Sequence, residues 1–291
     1  MATNAKDCVI SLCDSIQLRA EEFMGTPMRI VTLLTDFGLR DHFVASMKGV
    51  MLSLNPNLKF VDISHLVSPH DVHSGAFIFG QAYHCFPAGT IHLVVVDPGV
   101  GTARKALAVI AGGYTFVAPD NGILTYVFNR EETFTAHEIT ADHYFRKPVS
   151  STFHGRDIFA PVAAWLSRDC TIEQLGPPVK QPVRLKIPAV TRVRDALIQG
   201  AVLAVDNFGN LITNLTPQDV PIFGGDTSRS CKVVAGQREI AQFHRTFGEG
   251  ASGDLFVIPG SSGYLEIVMR GRSAAAELRL SAGAPVGVIL T

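Results

Sequence analysis

Three short stretches place acids, a base and an imidazole beside glycines. They are Thr35-Asp36-Phe37-Gly38, Asp97-Pro98-Gly99-Val100-Gly101-Thr102-Ala103-Arg104 and Phe153-His154-Gly155-Arg156-Asp157. A carboxylate accepts hydrogen bonds, a guanidinium is a permanent donor cation, and an imidazole does either near neutral pH. Together these groups suit the holding and polarising of a small nucleophile such as water, or the binding of a hydroxylated ligand. The local pattern alone fits a blander reading equally well, with Asp97 capping a turn and Arg104 as its surface partner. Two strand-end acids, Asp36 and Asp97, favour the ligand reading over either one alone. Asp157 reads as an early-helix acid that favours the helix dipole, and a structural role for His154 stays open.

The elements that must position these groups read as an α/β sheet. Leu93 to Val96 is a buried-strand run, Asp97 falls at its carboxyl end, and Pro98 and Gly99 stop it. Arg29 to Thr35 is a second core strand, ending at Asp36. A helical pattern follows from Phe43 to Leu52, with Asp41 placed to cap it. Leu58 to Ile63 is a strand, and Asp71 stands near the start of a helix whose apolar surface is Ala76, Phe77, Phe79, Ala82 and Tyr83. Ala106 to Ile110 and Thr115 to Ala118 are strands joined by Ala111-Gly112-Gly113. Pro119-Asp120-Asn121-Gly122 is a tight turn before a short helix from Leu124 to Phe128. In open α/β sheets ligands bind just beyond the carboxyl ends of strands, where Asp36 and Asp97 fall.

The texture changes at Leu175-Gly176-Pro177-Pro178. Beyond Pro188 the runs Ala196 to Val205, Cys231 to Val234, Leu255 to Ile258, Tyr264 to Val268 and Pro285 to Leu290 follow without a long helix between them. They read as a small β-barrel or sandwich. Its loops Asp206-Asn207-Phe208-Gly209-Asn210 and Ser261-Ser262-Gly263-Tyr264 are either simple turns or hydrogen-bonding groups for a ligand at an interdomain or intersubunit crevice. The expected organisation is an extension over 1–27, an α/β domain with a mainly parallel central sheet over 28–180, a linker over 181–188 and a β-barrel domain over 189–291.

Composition narrows the function class. A formal net charge of -1 leaves no basic excess for a nucleic-acid backbone. Five cysteines without paired spacing point to neither a disulfide scaffold nor a zinc site, and so to a reducing cytoplasm. No apolar run approaches the roughly 18 residues of a membrane span, and the first 27 residues lack the basic start and apolar core of a secretory signal. The glycines follow neither the P-loop nor the dinucleotide-binding spacing. His65, His70, His73 and His84 cluster in sequence without a convincing carboxylate-histidine ligand pattern, so helix-cap or pocket-wall roles are expected in place of a metal site.

Taken in order, the three stretches together with Pro119-Asp120-Asn121-Gly122 resemble the S-adenosylmethionine hydroxide adenosyltransferase family, from about Met28 to Leu290. That family is related to the S-adenosylmethionine-dependent fluorinase and chlorinase. The resemblance implies an α/β N-terminal domain, a β-barrel C-terminal domain, and homotrimers with ligand sites between neighbouring subunits. It also implies hydrolysis of S-adenosyl-L-methionine to adenosine and L-methionine, without a metal or a cofactor beyond the substrate. Asp97, Arg104 and His154 match the family's catalytic set. Asp97 would accept from water or orient His154, His154 would take a proton, and Arg104 would orient Asp97. By the same resemblance Asp36 binds the ribose hydroxyls and Asp206 and Asn210 hold the methionine portion. Ser261 receives the carboxylate, Phe247 meets the adenine, and His70 stands at the pocket wall where the halogenating relatives have an aromatic residue. The alternatives are a halide-using adenosyltransferase, an adenosyl-ligand binding protein without turnover, and a metal-dependent phosphohydrolase. Tyrosine in the fluorinase at the position of Asp97 argues for hydrolysis.

Overall fold

The computed structural model describes residues 29–168, 170–225 and 230–290. The extension over 1–27 lies outside the described residues. The chain forms two compact units that divide between Leu185 and Lys186.

Among the described residues of the first unit, six strands form one sheet in the order β2-β1-β3-β5-β4-β6. These are β1 (Ile30–Thr35), β2 (Lys59–Ser64), β3 (Ile91–Val95), β4 (Ala106–Ala111), β5 (Tyr114–Pro119) and β6 (Phe134–Glu138). β1, β2, β3 and β5 run parallel, and β4 is antiparallel to both β5 and β6. The reversal at β4 is local chemistry. Gly112 and Gly113 take φ of 56° and 83°, the two consecutive positive values that a two-residue hairpin turn demands.

Alternation sends Leu33, Leu93 and Val95 into one apolar cluster and Leu34, Val94 and Val96 into the other. Both sheet faces are therefore buried, which is why these strands read as continuous apolar runs. Helices α1 (Phe43–Leu54) and α4 (Ala160–Leu166) contribute Met47, Met51, Val162 and Ala163 to the first cluster. Helices α2 (Val72–Ala82) and α3 (Thr125–Arg130) contribute Ala76, Phe79, Val127 and Phe128 to the second. Asp71 caps α2 by accepting from Ser74 N at 2.9 Å. The expected cap of α1 by Asp41 is not made: His42 occupies the N-cap, without a side-chain bond. β6 was not legible in the sequence, because Phe-Thr-Ala-His-Glu is a short, mixed edge strand.

The described residues of the second unit form an eight-stranded sheet. Its strands are β7 (Thr191–Arg194), β8 (Leu197–Val205), β9 (Leu211–Thr213), β10 (Cys231–Ala235), β11 (Arg238–Ile240), β12 (Leu255–Pro259), β13 (Leu265–Met269) and β14 (Pro285–Leu290). The order is β11-β10-β14-β8-β9-β13-β12, with β7 on β8. Beyond β11 the chain turns against β12, where His244 N donates to Val257 O and Val257 N to Gln242 O, both at 3.0 Å. That contact nearly closes the sheet into a barrel filled by Val202, Leu211, Val233, Val257, Ile267 and Val288. β7, β9 and β11 are too short for a period to show in sequence.

Candidate active site

The parallel pairing of β1 and β3 aligns Thr35 with Val95, so Asp36 and Asp97 emerge from adjacent strands at one edge of the sheet. The end of β3 is fixed from outside by Asn121, whose Nδ2 donates to Val96 O at 2.8 Å. The turn over 119–122 thus has a positioning role, and Asp120 in it accepts from Val183 N at 2.8 Å.

After Asp97 the chain folds back on itself. Val100 N donates to Asp97 O at 3.2 Å, and Thr102 donates to Gly99 O through its N at 3.1 Å and its Oγ1 at 2.7 Å. Gly101 completes the turn at φ +76°, and a Cβ there would come within 2.3 Å of the Ser151 carbonyl oxygen. Only glycine combines that conformation with so close a backbone approach. The turn returns Arg104 to Asp97. Arg104 Nε donates to both Asp97 oxygens at 2.9 Å, and Nη2 donates to Oδ2 at 2.5 Å. The same Nη2 lies 2.9 Å from His154 Nδ1, and the guanidinium carbon stands 5.2 Å from the centroid of the Phe159 ring. With the Asp97 and Arg104 side chains 4% and 11% exposed, this is a desolvated ion pair in which the fork geometry of arginine matches the carboxylate.

The contact assigns the tautomer of His154. Arginine has no acceptor, so Nδ1 must accept and the neutral ring carries its hydrogen on Nε2. Burial, followed by the charge of Arg104, holds the His154 pKa below the ordinary imidazole value against the opposing pull of Asp97 and Asp157. His154 is linked to Asp97 through Arg104.

His154 precedes a wide π-turn over Gly155–Phe159, a distortion frequent at functional sites. Gly155 is packed so closely that a Cβ would meet Met47 Sδ and Phe37 Cε2 at 3.2 Å and Phe153 Cε2 at 3.3 Å. Asp157 is fully buried. It accepts from Arg156 Nε at 2.7 Å and Nη2 at 2.9 Å, from Ser150 N at 2.9 Å and from Arg146 Nη1 at 3.2 Å. Burial raises its pKa, but the bonds from Arg156 and Ser150 outweigh that and hold it below the usual carboxylate range. Asp157 stands in the first turn of this helical segment, as expected, and is in addition an internal anchor for the segment that carries His154.

Asp36 and His70 also meet, through the backbone: His70 N donates to Asp36 Oδ2 at 2.8 Å, with His70 held at φ 67°. The strand end beside them is braced by His65, whose Nδ1 lies 2.8 Å from Thr35 Oγ1 and whose carbonyl accepts from Gly38 N at 2.8 Å. Among the described residues no group of three or more His, Cys, Asp or Glu is arranged to hold a metal ion.

In the barrel unit, Asp206 and Asn210 are joined directly. Asp206 Oδ1 accepts from Phe208 N at 2.9 Å and Asn210 N at 2.8 Å, and Oδ2 accepts from Asn210 Nδ2 at 2.8 Å. Asn210 and the half-exposed Phe247 line one cavity of about 640 Å3, with Phe208, Met269, Arg270 and Ser273. Ser261 lies in the turn closed by Gly263 N to Gly260 O at 3.1 Å and is not among the residues lining that cavity. Phe208, 77% exposed, lines the same cavity from within the Asp206-to-Asn210 loop, which the sequence offered to a ligand only for its hydrogen-bonding groups.

Known proteins match this chain along most of its length. A model of the SAM hydroxide adenosyltransferase N-terminal domain matches residues 31–176, and one of the C-terminal domain of the same family matches residues 200–287. A Salinispora tropica protein named (R)-S-adenosyl-L-methionine hydrolase is 39% identical over 263 residues, covering 88% of this chain and 96% of the relative. A fluorinase from an Actinoplanes species is more distant, at 27% identity over 295 residues, covering 91% and 98%. The crystal structure of an uncharacterized conserved protein from Thermotoga maritima superposes with a TM-score of 0.81 at 36% identity, covering 89% of this chain and 99% of that one.

Proposed function

This chain belongs to the SAM hydroxide adenosyltransferase family, and on that premise we propose that it hydrolyses S-adenosyl-L-methionine to adenosine and L-methionine. The reaction is a displacement at the ribose C5′. A water oxygen forms the C–O bond opposite sulfur, the C–S bond breaks, its electron pair returns to sulfur, and methionine departs as a neutral thioether. One proton leaves the attacking oxygen. The sulfonium is already a good leaving group, so a metal or further cofactor has no leaving-group charge to stabilise.

The Arg104 bridge between Asp97 and His154 is the observation that carries the assignment of roles. The ring lone pair of His154 is engaged by Arg104, so its Nε2–H acts as a donor that orients the water oxygen. Asp97 is then the acceptor left in the set: it takes the hydrogen bond from water and receives the proton as the C–O bond forms. Arg104 fixes both partners and favours hydroxide-like charge on the oxygen. A dry site strengthens these fixed charges, and alignment within contact distance supplies the rest.

In the same reading Asp36 binds the ribose hydroxyls, His70 forms pocket wall, Phe247 contacts the adenine, Asp206 and Asn210 hold the amino-acid portion and Ser261 receives its carboxylate. The protein works in the cytoplasm as a homotrimer with its sites between neighbouring subunits. An anionic Asp97 repels a naked halide and accepts from water, which favours hydrolysis over halide transfer. Metal-free incubation with S-adenosyl-L-methionine, with and without chloride, tests the proposal. Equimolar adenosine and L-methionine in both are expected. A 5′-chloro product, dependence on an added metal, or binding without methionine release would overturn it.

A further inference from the structure

Asp36 is held from both sides by one residue. On its N-terminal side His65 Nδ1 lies 2.8 Å from the hydroxyl of Thr35. On its C-terminal side Gly38 N donates to His65 O at 2.8 Å, and Phe37 N donates to the same Thr35 hydroxyl at 3.2 Å. Five residues beyond His65 the loop reaches the carboxylate itself, where His70 N donates to Asp36 Oδ2 at 2.8 Å. Val67, buried in the same apolar cluster as Leu34, pins that loop in between. His65 and the loop it opens therefore fix the backbone around Asp36 and one of its two oxygens.

The ring that does this is itself fixed. His65 is 3% exposed, and its Nε2 lies 3.0 Å from Asp62 Oδ1, off the line of a straight hydrogen bond. Asp62 Oδ2 in turn accepts from Lys48 Nζ, on helix α1, at 2.6 Å. Burial raises the Asp62 pKa, but the bond from Lys48 and the nearby His65 outweigh that and hold it below the ordinary carboxylate range. β2 carries one extra residue beside this contact: Asp62 pairs with Leu33, whereas Ser64 pairs with Leu34. Such a bulge re-aims the side chains that follow it.

A carboxylate only accepts, so Nε2 carries a hydrogen, and the neutral ring then accepts the Thr35 hydroxyl at Nδ1. For stability alone an apolar side chain would serve as well between β1 and β2. A histidine held at both nitrogens gives something an apolar side chain does not, a single orientation of the strand end.

We propose that His65 is a positioning residue for the ribose-binding carboxylate: with Asp62 it holds Asp36 so that Oδ1, the oxygen not taken by His70, meets the sugar hydroxyls, and it thereby sets the preference for a ribose over a sugar that lacks them. The inference rests on the ribose role of Asp36 within the hydrolase reading.

The test is the dissociation constants of adenosine and of 2′,3′-dideoxyadenosine, by titration calorimetry, in the full chain and its variants. The wild type is expected to bind adenosine at least about tenfold more tightly than the dideoxy compound. His65→Leu, close in size and without polar atoms, is expected to lose most of that ratio by weakening adenosine alone. His65→Asn keeps an acceptor where Nδ1 stood and is expected to restore part of it. Asp62→Asn, at a side chain 41% exposed, is expected to fall between the wild type and His65→Leu. A histidine with only a packing role would weaken both ligands alike, so a wild-type ratio in His65→Leu overturns the inference. Where circular dichroism shows that His65→Leu does not fold, a wild-type ratio in Asp62→Asn overturns it. A wild type that binds the two compounds equally removes the ribose role of Asp36, and the inference with it. A wild type that forms no adenosine overturns the hydrolase reading, an outcome separate from the binding ratios.

Discussion

Arg104 Nη2 lies 2.9 Å from His154 Nδ1 while the same guanidinium holds Asp97. One cation therefore sets the orientation of an acid seven residues away and of an imidazole 50 residues away. Because arginine only donates, the contact also dictates which imidazole nitrogen carries the hydrogen.

Arg104→Lys is expected to fail nearly as badly as Arg104→Ala. A lysine keeps the charge but cannot span both oxygens of Asp97 and Nδ1 of His154 at once. Adenosine formation should fall about a hundredfold or more in both variants. Near-normal turnover in Arg104→Lys would show that charge alone suffices.

The rate should lose activity on the acid side only below the ordinary imidazole value of 6.5, because burial and the Arg104 charge hold the His154 pKa down. Protonation there puts a hydrogen on Nδ1 that faces the Arg104 donor, and the bridge opens. A profile of kcat/KM against pH checks this. An acid limb at or above 6.5, or one that survives in His154→Gln, would assign the limb to another group.

Gly101→Ala should cripple the enzyme without touching a charged group. Its Cβ would meet Ser151 O at 2.3 Å, from a backbone at φ +76°, and the turn that returns Arg104 to Asp97 must shift. A loss of about tenfold to a hundredfold in kcat/KM is expected, with circular dichroism unchanged. Wild-type activity would mean that the turn yields freely.

Acid should destabilise the fold through His92. The ring is fully buried among Phe79, Tyr83, Tyr114 and Phe116, lies 2.7 Å from Thr32 Oγ1, and has its pKa pushed down by burial to about 3. The unfolded chain binds the proton first, near 6.5. Stability is therefore full above that value and declines as pH falls from 6.5 toward 3, by on the order of 2 kcal/mol at pH 5. Urea unfolding at pH 7.5 and pH 5 should show this difference, and His92→Phe should reduce it. An equal pH dependence in wild type and variant would sink the attribution.

Much of the α/β unit was legible because its signals are local. Leu93 to Val96 is apolar throughout because both sheet faces are covered, and Pro98 and Gly99 end it within two residues. The barrel showed its longer strands, whereas Thr191–Arg194, Leu211–Thr213 and Arg238–Ile240 are too short to carry a period. Asp157 was legible as an early-helix acid, but its anchoring role was not. Beside its neighbour Arg156, its partners Arg146 and Ser150 reach it only through the folding back of the intervening loop.

By itself the sequence determined the strand-end position of Asp36 and Asp97, the turn chemistry of the glycines and the family to which the motifs belong. All of these follow from residue type and near spacing. Only the tertiary structure decided that Arg104 joins Asp97 to His154 and that His154 accepts through Nδ1. Those relations join strands and loops far apart in the chain. They are set by the register and closure of whole sheets, whose burial energy is shared by many residues and written in no single stretch.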